Sequence, residues 1–458
     1  MNSQFASLDL PKPFLENIAS LGFDRMTPIQ SQSIPKIMEG NDVIAQAKTG
    51  SGKTAAFGVG LLWNIKTESK TPSCLVLSPT RELAEQICVE LRKLARRIPN
   101  VKILNLTGGV PIGPQFRSLE HGANIIVGTP GRVLDHLRKN SLRLNSVEKV
   151  VLDEADRMLD MGFLEDIESI LELTPQTRQT LLFSATYPEA IETVSGKFQN
   201  NPIEIKIDTA HQKTNITQHF VSCENNKKLD TLKSLIFSNQ ISKAVVFCQT
   251  KVDCDEVAEE LSREGIITRA LHGDMEQRDR EEVLTLFANG SLNLLTATDV
   301  AARGIDIKEL PAVVNFELSR DPQVHTHRIG RTGRAGKAGV AFSIVAKRES
   351  RRFERLQEDN PHLQMTPIAS GLKDRASLPQ PDMVTLLIAA GKRNKLRPGD
   401  VLGALTQGAS IHANDVGQIN VFPVRTYVAV NRSVARRALD GLRRSQIKGR
   451  TMKVYTVR

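Results

Sequence analysis

Ala47-Lys48-Thr49-Gly50-Ser51-Gly52-Lys53-Thr54 follows the short apolar run Val43-Ile44-Ala45 and precedes Ala55-Ala56-Phe57. The order reads as strand, glycine-rich loop, helix. It fits the pattern GxxxxGK[ST], except that Ala47 stands at the first glycine. Gly50 and Gly52 allow backbone N–H groups to turn inward around phosphate oxygens, and the helix that follows adds the positive end of its dipole. Lys53 is then placed to reach the β- and γ-phosphates of a nucleoside triphosphate, and the Thr54 hydroxyl to hold Mg2+. A Gly-Ser-Gly turn between two core elements is the plain structural alternative. Strand–loop–helix placement favours the phosphate loop.

Moving outward, short apolar runs alternate with helix-like stretches. Cys74-Leu75-Val76-Leu77, Asn124-Ile125-Ile126-Val127, Lys149-Val150-Val151-Leu152 and Thr180-Leu181-Leu182-Phe183 lie in the first part of the chain. Ala244-Val245-Val246-Phe247 and Asn293-Leu294-Leu295 repeat the style further on. Continuous rather than alternating runs suit parallel strands buried on both faces, and strands alternating with helices indicate an α/β fold of right-handed βαβ units. Polar residues sit where these runs stop: Pro79-Thr80-Arg81-Glu82, Gly128-Thr129-Pro130-Gly131-Arg132, Asp153-Glu154-Ala155-Asp156, Ser184-Ala185-Thr186 and Thr298-Asp299. Ligands of open α/β sheets bind at the carboxyl ends of strands. Asp153 there suits Mg2+, directly or through water, and Glu154 can orient and polarise an attacking water. A solvated acidic helix start is the alternative for the tetrad.

At about 150 residues per domain, 458 residues suggest roughly three domains. The reading places them at 1–207, 218–360 and 382–458, with linkers at 208–217 and 361–381. The last region reads strand 383–390, helix 398–406, strands 418–423 and 425–430, helix 433–444 and strand 451–457, a β-α-β-β-α-β order. It also concentrates the charge. Residues 383–458 hold 14 Lys and Arg against three Asp, a net +11, while the rest of the chain is near −1. Such a tail binds polyanions by counterion release, or serves as a solubilising surface. No apolar run is long enough for a bilayer-spanning helix, and the N-terminus lacks a secretory layout. Five cysteines without a CxxC pair fit a reducing cytoplasm.

These motifs resemble, in order, those of the DEAD-box RNA helicases, and the resemblance covers residues 1–350. Gly22-Phe23-Asp24-Arg25-Met26-Thr27-Pro28-Ile29-Gln30 looks like the family's adenine-reading motif, with Phe5 upstream. Thr298-Asp299-Val300-Ala301-Ala302-Arg303-Gly304-Ile305-Asp306 and His327-Arg328-Ile329-Gly330-Arg331-Thr332-Gly333-Arg334 match the motifs of the second domain. The resemblance implies two tandem RecA-like parallel-sheet domains. It implies ATP and Mg2+ at Phe23, Gln30, Ala47, Lys48, Thr49, Gly50, Ser51, Gly52, Lys53, Thr54, Asp153 and Asp306. Catalysis falls to Lys53, Asp153, Glu154 and the arginine fingers Arg331 and Arg334. RNA backbone falls to Thr80, Arg81, Gly109, Thr129, Arg132, Thr298 and Arg303, with Ser184-Ala185-Thr186 coupling nucleotide to RNA.

Lys395-Leu396-Arg397-Pro398-Gly399-Asp400 and Tyr427-Val428-Ala429-Val430 resemble the RNA-binding domain of the DbpA subgroup, a small α+β, RRM-like fold. That implies docking on a 23S ribosomal RNA hairpin and a role on large-subunit precursor particles, with Arg425 and Tyr427 among the RNA contacts. Only Tyr427 supplies an aromatic on the third strand, so loop and helix arginines are expected to dominate. A monomer with no membrane partner suffices. An ATP-gated RNA clamp or chaperone without productive unwinding, and a DNA-directed motor, remain as alternatives.

Overall fold

The computed structural model describes residues 4–47, 50–187, 189–207, 216–302, 310–333, 338–367 and 380–457. The apolar runs become two seven-stranded sheets, all parallel. The first holds β1 (Val43–Gln46), β2 (Cys74–Leu77), β3 (Ile103–Leu106), β4 (Ile125–Gly128), β5 (Lys149–Asp153), β6 (Gln179–Ser184) and β7 (Ile203–Lys206). Its order is β3-β4-β2-β5-β6-β1-β7. Successive residues of each strand enter opposite cores. Val76, Val127, Val151 and Leu181 pack on one side of the sheet. Leu75, Leu77, Ile126, Val150, Leu152 and Leu182 pack on the other. Helices cover both faces, which is why the runs do not alternate with polar residues.

The second sheet holds β8 (Ile216–Cys223), β9 (Ala244–Cys248), β10 (Thr268–Leu271), β11 (Leu294–Thr298), β12 (Ala312–Asn315), β13 (Gly339–Ala346) and β14 (Met365–Pro367). Its order, β10-β11-β9-β12-β13-β8-β14, repeats that of the first sheet strand for strand. Two boundaries differ from the sequence reading. β8 begins inside the expected linker 208–217, and β14 lies within the expected linker 361–381. Three residues pairing with β8 through Phe220, Val221 and Ser222 make β14, too short to leave a periodic signature.

The C-terminal region follows its expected element order: β15 (Met383–Ile388), helix Pro398–Gly403, β16 (Val416–Val421), β17 (Thr426–Asn431), helix Ala435–Arg444, the small hairpin β18 (Gln446–Ile447) and β19 (Arg450–Thr451), and β20 (Val454–Thr456). The main sheet is antiparallel with order β16-β17-β15-β20. Leu386, Ile388, Val428, Val430 and Val454 face its helices and form its core. The chain divides into two compact units, one built on the first parallel sheet and the other on the second sheet together with the C-terminal sheet.

Candidate nucleotide and RNA-binding site

The glycine-rich loop leaves β1 and enters helix Lys53–Leu62. Gly52 caps that helix with φ 94°, and a Cβ there would run into the Gln30 amide nitrogen. Only glycine fits this left-handed, crowded position. Gln30 Nε2 donates to the Gly52 carbonyl at 3.1 Å, its Oε1 accepts from the Thr27 amide at 2.9 Å, and Thr27 Oγ1 donates to the Ser51 carbonyl at 2.8 Å. Thus Gln30, expected at the adenine, also braces the loop, with one N–H and one oxygen lone pair left over. The Phe23 ring lies 6.0 Å from that of Phe5. Lys53 is buried, with Nζ donating to the Ala47 carbonyl at 2.8 Å. Lys48 and Thr49 lie outside the described residues.

Asp153 ends β5 and is buried. Burial pushes its carboxyl up to about 7; Lys53 opposes the shift and Glu154 adds to it. A cation beside it would restore the charged form. Among the described residues no three His, Cys, Asp or Glu converge as a metal cluster. Asp153 and the Thr54 hydroxyl nevertheless supply the hard oxygens that Mg2+ takes beside phosphate and water. Glu154 stands in the left-handed region at φ 53°, and its Oε2 accepts from Arg157 Nη1 at 2.7 Å. Asp156 ties the tetrad to β6. It accepts from the Thr186 amide at 3.0 Å, the Thr186 hydroxyl at 2.8 Å and the Ala185 amide at 3.3 Å. Burial would raise its pKa, but the Thr186 hydroxyl and amide, helped by Lys53 and Ser184, hold it below the ordinary value.

On the same strand edge Thr80 caps helix Arg81–Leu94, its Oγ1 accepting from the Leu83 amide at 3.2 Å. The Arg81 guanidinium lies over Gly109, which has φ 73°; a Cβ on that glycine would meet Arg81 Nη1. Thr129 stands at the N-cap of helix Pro130–Arg138. Arg132, one turn in, bridges Gln115 Oε1 at 2.8 Å and the Val110 carbonyl at 3.0 Å. In the second domain Thr298 ends β11. Asp299 receives Arg328 through two hydrogen bonds of 2.6 and 2.8 Å, and Arg328 also donates to Asn315 Oδ1 and the Glu317 carbonyl. The buried Arg328 thereby fastens the two expected motifs together, and Arg331 follows it, itself largely buried. Arg303, Asp306 and Arg334 lie outside the described residues.

Arg425 and Tyr427 are placed differently from expectation. Both are buried against helix Gln277–Ala288 of the second domain. Arg425 Nη2 donates to the Arg278 carbonyl at 2.9 Å and pairs with Glu281 at 3.0 Å, and the Tyr427 hydroxyl donates to Glu282 at 2.7 Å. Asn289 and Ser291 reach Thr385, also at 2.8 Å each. Register puts Thr385, Tyr427 and Leu387 on the face of the sheet opposite its core. An RRM-like domain reads RNA with that face, whereas here it carries an intramolecular dock, so these two side chains do not lie open to RNA. A tyrosine in a strand does not announce what will cover it. Sequence reasoning also missed Gln115, His136 and Arg157, which belong to no recognised motif pattern.

Duplicated parallel sheets, a phosphate loop feeding a helix and an acidic tetrad at a strand's carboxyl end define a two-domain nucleotide hydrolase of the RecA-like kind. Residues 27–194 match the DEAD/DEAH box helicase model, 227–336 the helicase conserved C-terminal domain and 385–455 the DbpA RNA binding domain. The chain is 49% identical over 454 residues to the ATP-dependent RNA helicase DbpA of Escherichia coli (strain K12), covering 98% of each. It is 42% identical over 359 residues to the DEAD-box ATP-dependent RNA helicase CshA of Bacillus subtilis (strain 168), covering 78% of this chain and 72% of that one. Saccharomyces cerevisiae Dbp5 bound to RNA and ADP BeF3 superposes with a TM-score of 0.72 at 31% identity, over 80% of this chain and 95% of that one. The chain belongs to the DEAD-box ATP-dependent RNA helicases and carries a DbpA-type RNA-binding domain. It is an ATP-hydrolysing RNA helicase.

Proposed function

We propose that this helicase remodels ribosomal RNA during assembly of the large subunit, brought to a 23S hairpin by residues 382–458. It does so as a monomer in the cytoplasm. The distribution of charge around the covered sheet carries this reading. With the sheet face docked on helix Gln277–Ala288, the exposed cations Lys395, Arg397, Arg436, Arg437 and Lys448 lie on helices and loops, and Arg450 lies on the small hairpin. A groove of about 540 Å3 runs among Asp400, Gln407, Ser445 and Lys448. Cations on convex elements suit the phosphates of a folded hairpin better than bases splayed on a sheet.

ATP with Mg2+ supplies the phosphoryl group and the charge that the loop gathers. Lys53 exchanges the Ala47 carbonyl for phosphate oxygens, and Thr54 and Asp153 hold the cation. Phe23 and Gln30 meet the adenine and Asp306 the ribose. Glu154 orients the attacking water, and Arg331 and Arg334 meet developing negative charge. Thr80, Arg81, Gly109, Thr129, Arg132, Thr298 and Arg303 grip RNA backbone without reading bases. If RNA and ATP both favour one domain arrangement, linkage requires each to tighten the other.

The test is steady-state ATPase of the full chain with isolated ribosomal hairpins and with random RNA of equal length. The hairpin is expected to half-saturate at the lower concentration. Lys448→Glu with Arg450→Glu should erase that preference while random RNA still stimulates. Equal stimulation of the parent by both RNAs would overturn the targeting, and an unchanged preference in the double variant would overturn the assigned surface.

A further inference from the structure

Gln115 lies outside every motif that carries the helicase reading, yet it is buried where two of them meet. Its Nε2 donates to the Thr107 carbonyl at 3.0 Å, just before Gly108-Gly109. That bond orients the amide, because the opposite orientation would set oxygen against oxygen. Oε1 then takes Arg132 Nη1 at 2.8 Å and faces His136 Nε2 at 2.9 Å. An amide oxygen only accepts, so these partners assign the imidazole proton to Nε2. Nδ1, 2.8 Å from the Ser141 hydroxyl, is left to accept. The ring is fully buried and stacks edge-on against Phe116 at 5.3 Å. Burial, with Arg132 adding, pushes its pKa down to about 4, so it is neutral near pH 7.

The second fork of Arg132 ends on the Val110 carbonyl, in the loop that carries Gly109. A chain of hydrogen bonds thus runs from a buried histidine, through one amide oxygen, to a guanidinium that spans the Gly108–Val110 turn and the helix after Thr129. We infer that Gln115 and His136 are positioning residues for the RNA grip: they hold Arg132, and through it the loop at Gly109, in the RNA-ready arrangement before RNA arrives. Neither touches a phosphate. They act by removing the ordering that a free arginine and a free loop would otherwise undergo on binding, at about 0.5–1.5 kcal/mol per immobilised side chain, which converts to about a two- to tenfold change in affinity.

This inference rests on the reading of Arg132 and Gly109 as RNA contacts, and the experiment separates the two. Half-saturating concentration of a single-stranded RNA is measured by ATPase, together with KM for ATP at saturating RNA. Gln115→Leu should raise the first about two- to tenfold and leave the second in place. Arg132→Lys, at a half-buried site, keeps the charge but cannot fork to two acceptors, and should weaken RNA as Gln115→Leu does. Arg132→Leu is the reference. Combining it with Gln115→Leu should add nothing further, and its salt dependence should be shallower by about one phosphate contact. If Arg132→Leu weakens RNA while Gln115→Leu and Arg132→Lys do not, the positioning role is overturned. If Arg132→Leu itself leaves RNA binding unchanged, the underlying RNA-face assignment fails instead.

Discussion

At Glu154 two unusual features coincide. A non-glycine residue with φ 53° stands between a strand and a helix, and its carboxylate is buried against Arg157. The backbone conformation costs about 1–3 kcal/mol, and such strain gathers at functional sites. It turns the chain between β5 and helix Ala155–Asp160, and Asp153 and Asp156 on either side of the turn are both buried. Arg157 neutralises Glu154, one of three crowded carboxylates. Arg157→Met should therefore destabilise the first domain by about 3 kcal/mol, because the partner is left charged and buried. Adding Glu154→Gln should recover most of the loss. Urea unfolding of the four proteins of that cycle checks both statements, and a silent single variant would show the pair to be dispensable.

Among the elements, two helices carry buried histidines that respond to pH. His136 lies in helix Pro130–Arg138 and His325 in helix Pro322–Ile329, both buried. Burial pushes each imidazole from 6.5 down to about 4, with Arg132 and Arg328 as the charged neighbours that add to it. The unfolded chain takes up these protons near 6.5, and the folded chain only near 4. The stability each ring preserves is complete above 6.5 and is lost as pH falls through that window. At pH 5 the loss is on the order of 2 kcal/mol per histidine. The urea midpoint of the second unit should drop between pH 7 and pH 5, whereas in the first unit Asp153, with its carboxyl raised to about 7, gains stability over the same window and offsets His136. A flat midpoint in the second unit would mean that the His325 ring is not held neutral. The strands were the easiest elements to foresee, since runs such as Lys149-Val150-Val151-Leu152 are buried on both faces. The three-residue β14 could not be, because its pairing with β8 is made over 140 residues away in sequence.

For the whole molecule, the repeated strand order makes two versions of one sheet do different work. Only the first carries a phosphate loop, and the second carries the Asp299–Arg328 clasp and the docked C-terminal sheet. That dock is polar at its centre. Arg425 pairs with Glu281 and stacks over Phe422 and Tyr427, at 5.3 and 5.6 Å from the ring centroids. Desolvation and Glu282 push the Tyr427 phenol well above its ordinary value, so it stays a donor. Arg425→Glu and Glu281→Arg should each destabilise the second unit and together restore part of the loss. A coupling on the order of 1–2 kcal/mol is expected in urea unfolding. Strict additivity would show that the pair does not hold the domains together.

Local chemistry was enough to settle the class of this protein. Glycines that bend a backbone around phosphate, a lysine and hydroxyl at a helix start, carboxylates at a strand end and a +11 tail act through near neighbours, and near neighbours are written in order along the chain. Tertiary structure decided what those neighbours could not. Gln115 finds Arg132 and His136, Gln30 finds Gly52, and Tyr427 finds Glu282 across 145 residues. Each of these depends on burial and on a partner delivered by packing. A side chain's role changes from ligand contact to brace when a distant element removes it from water, and no periodicity records that removal.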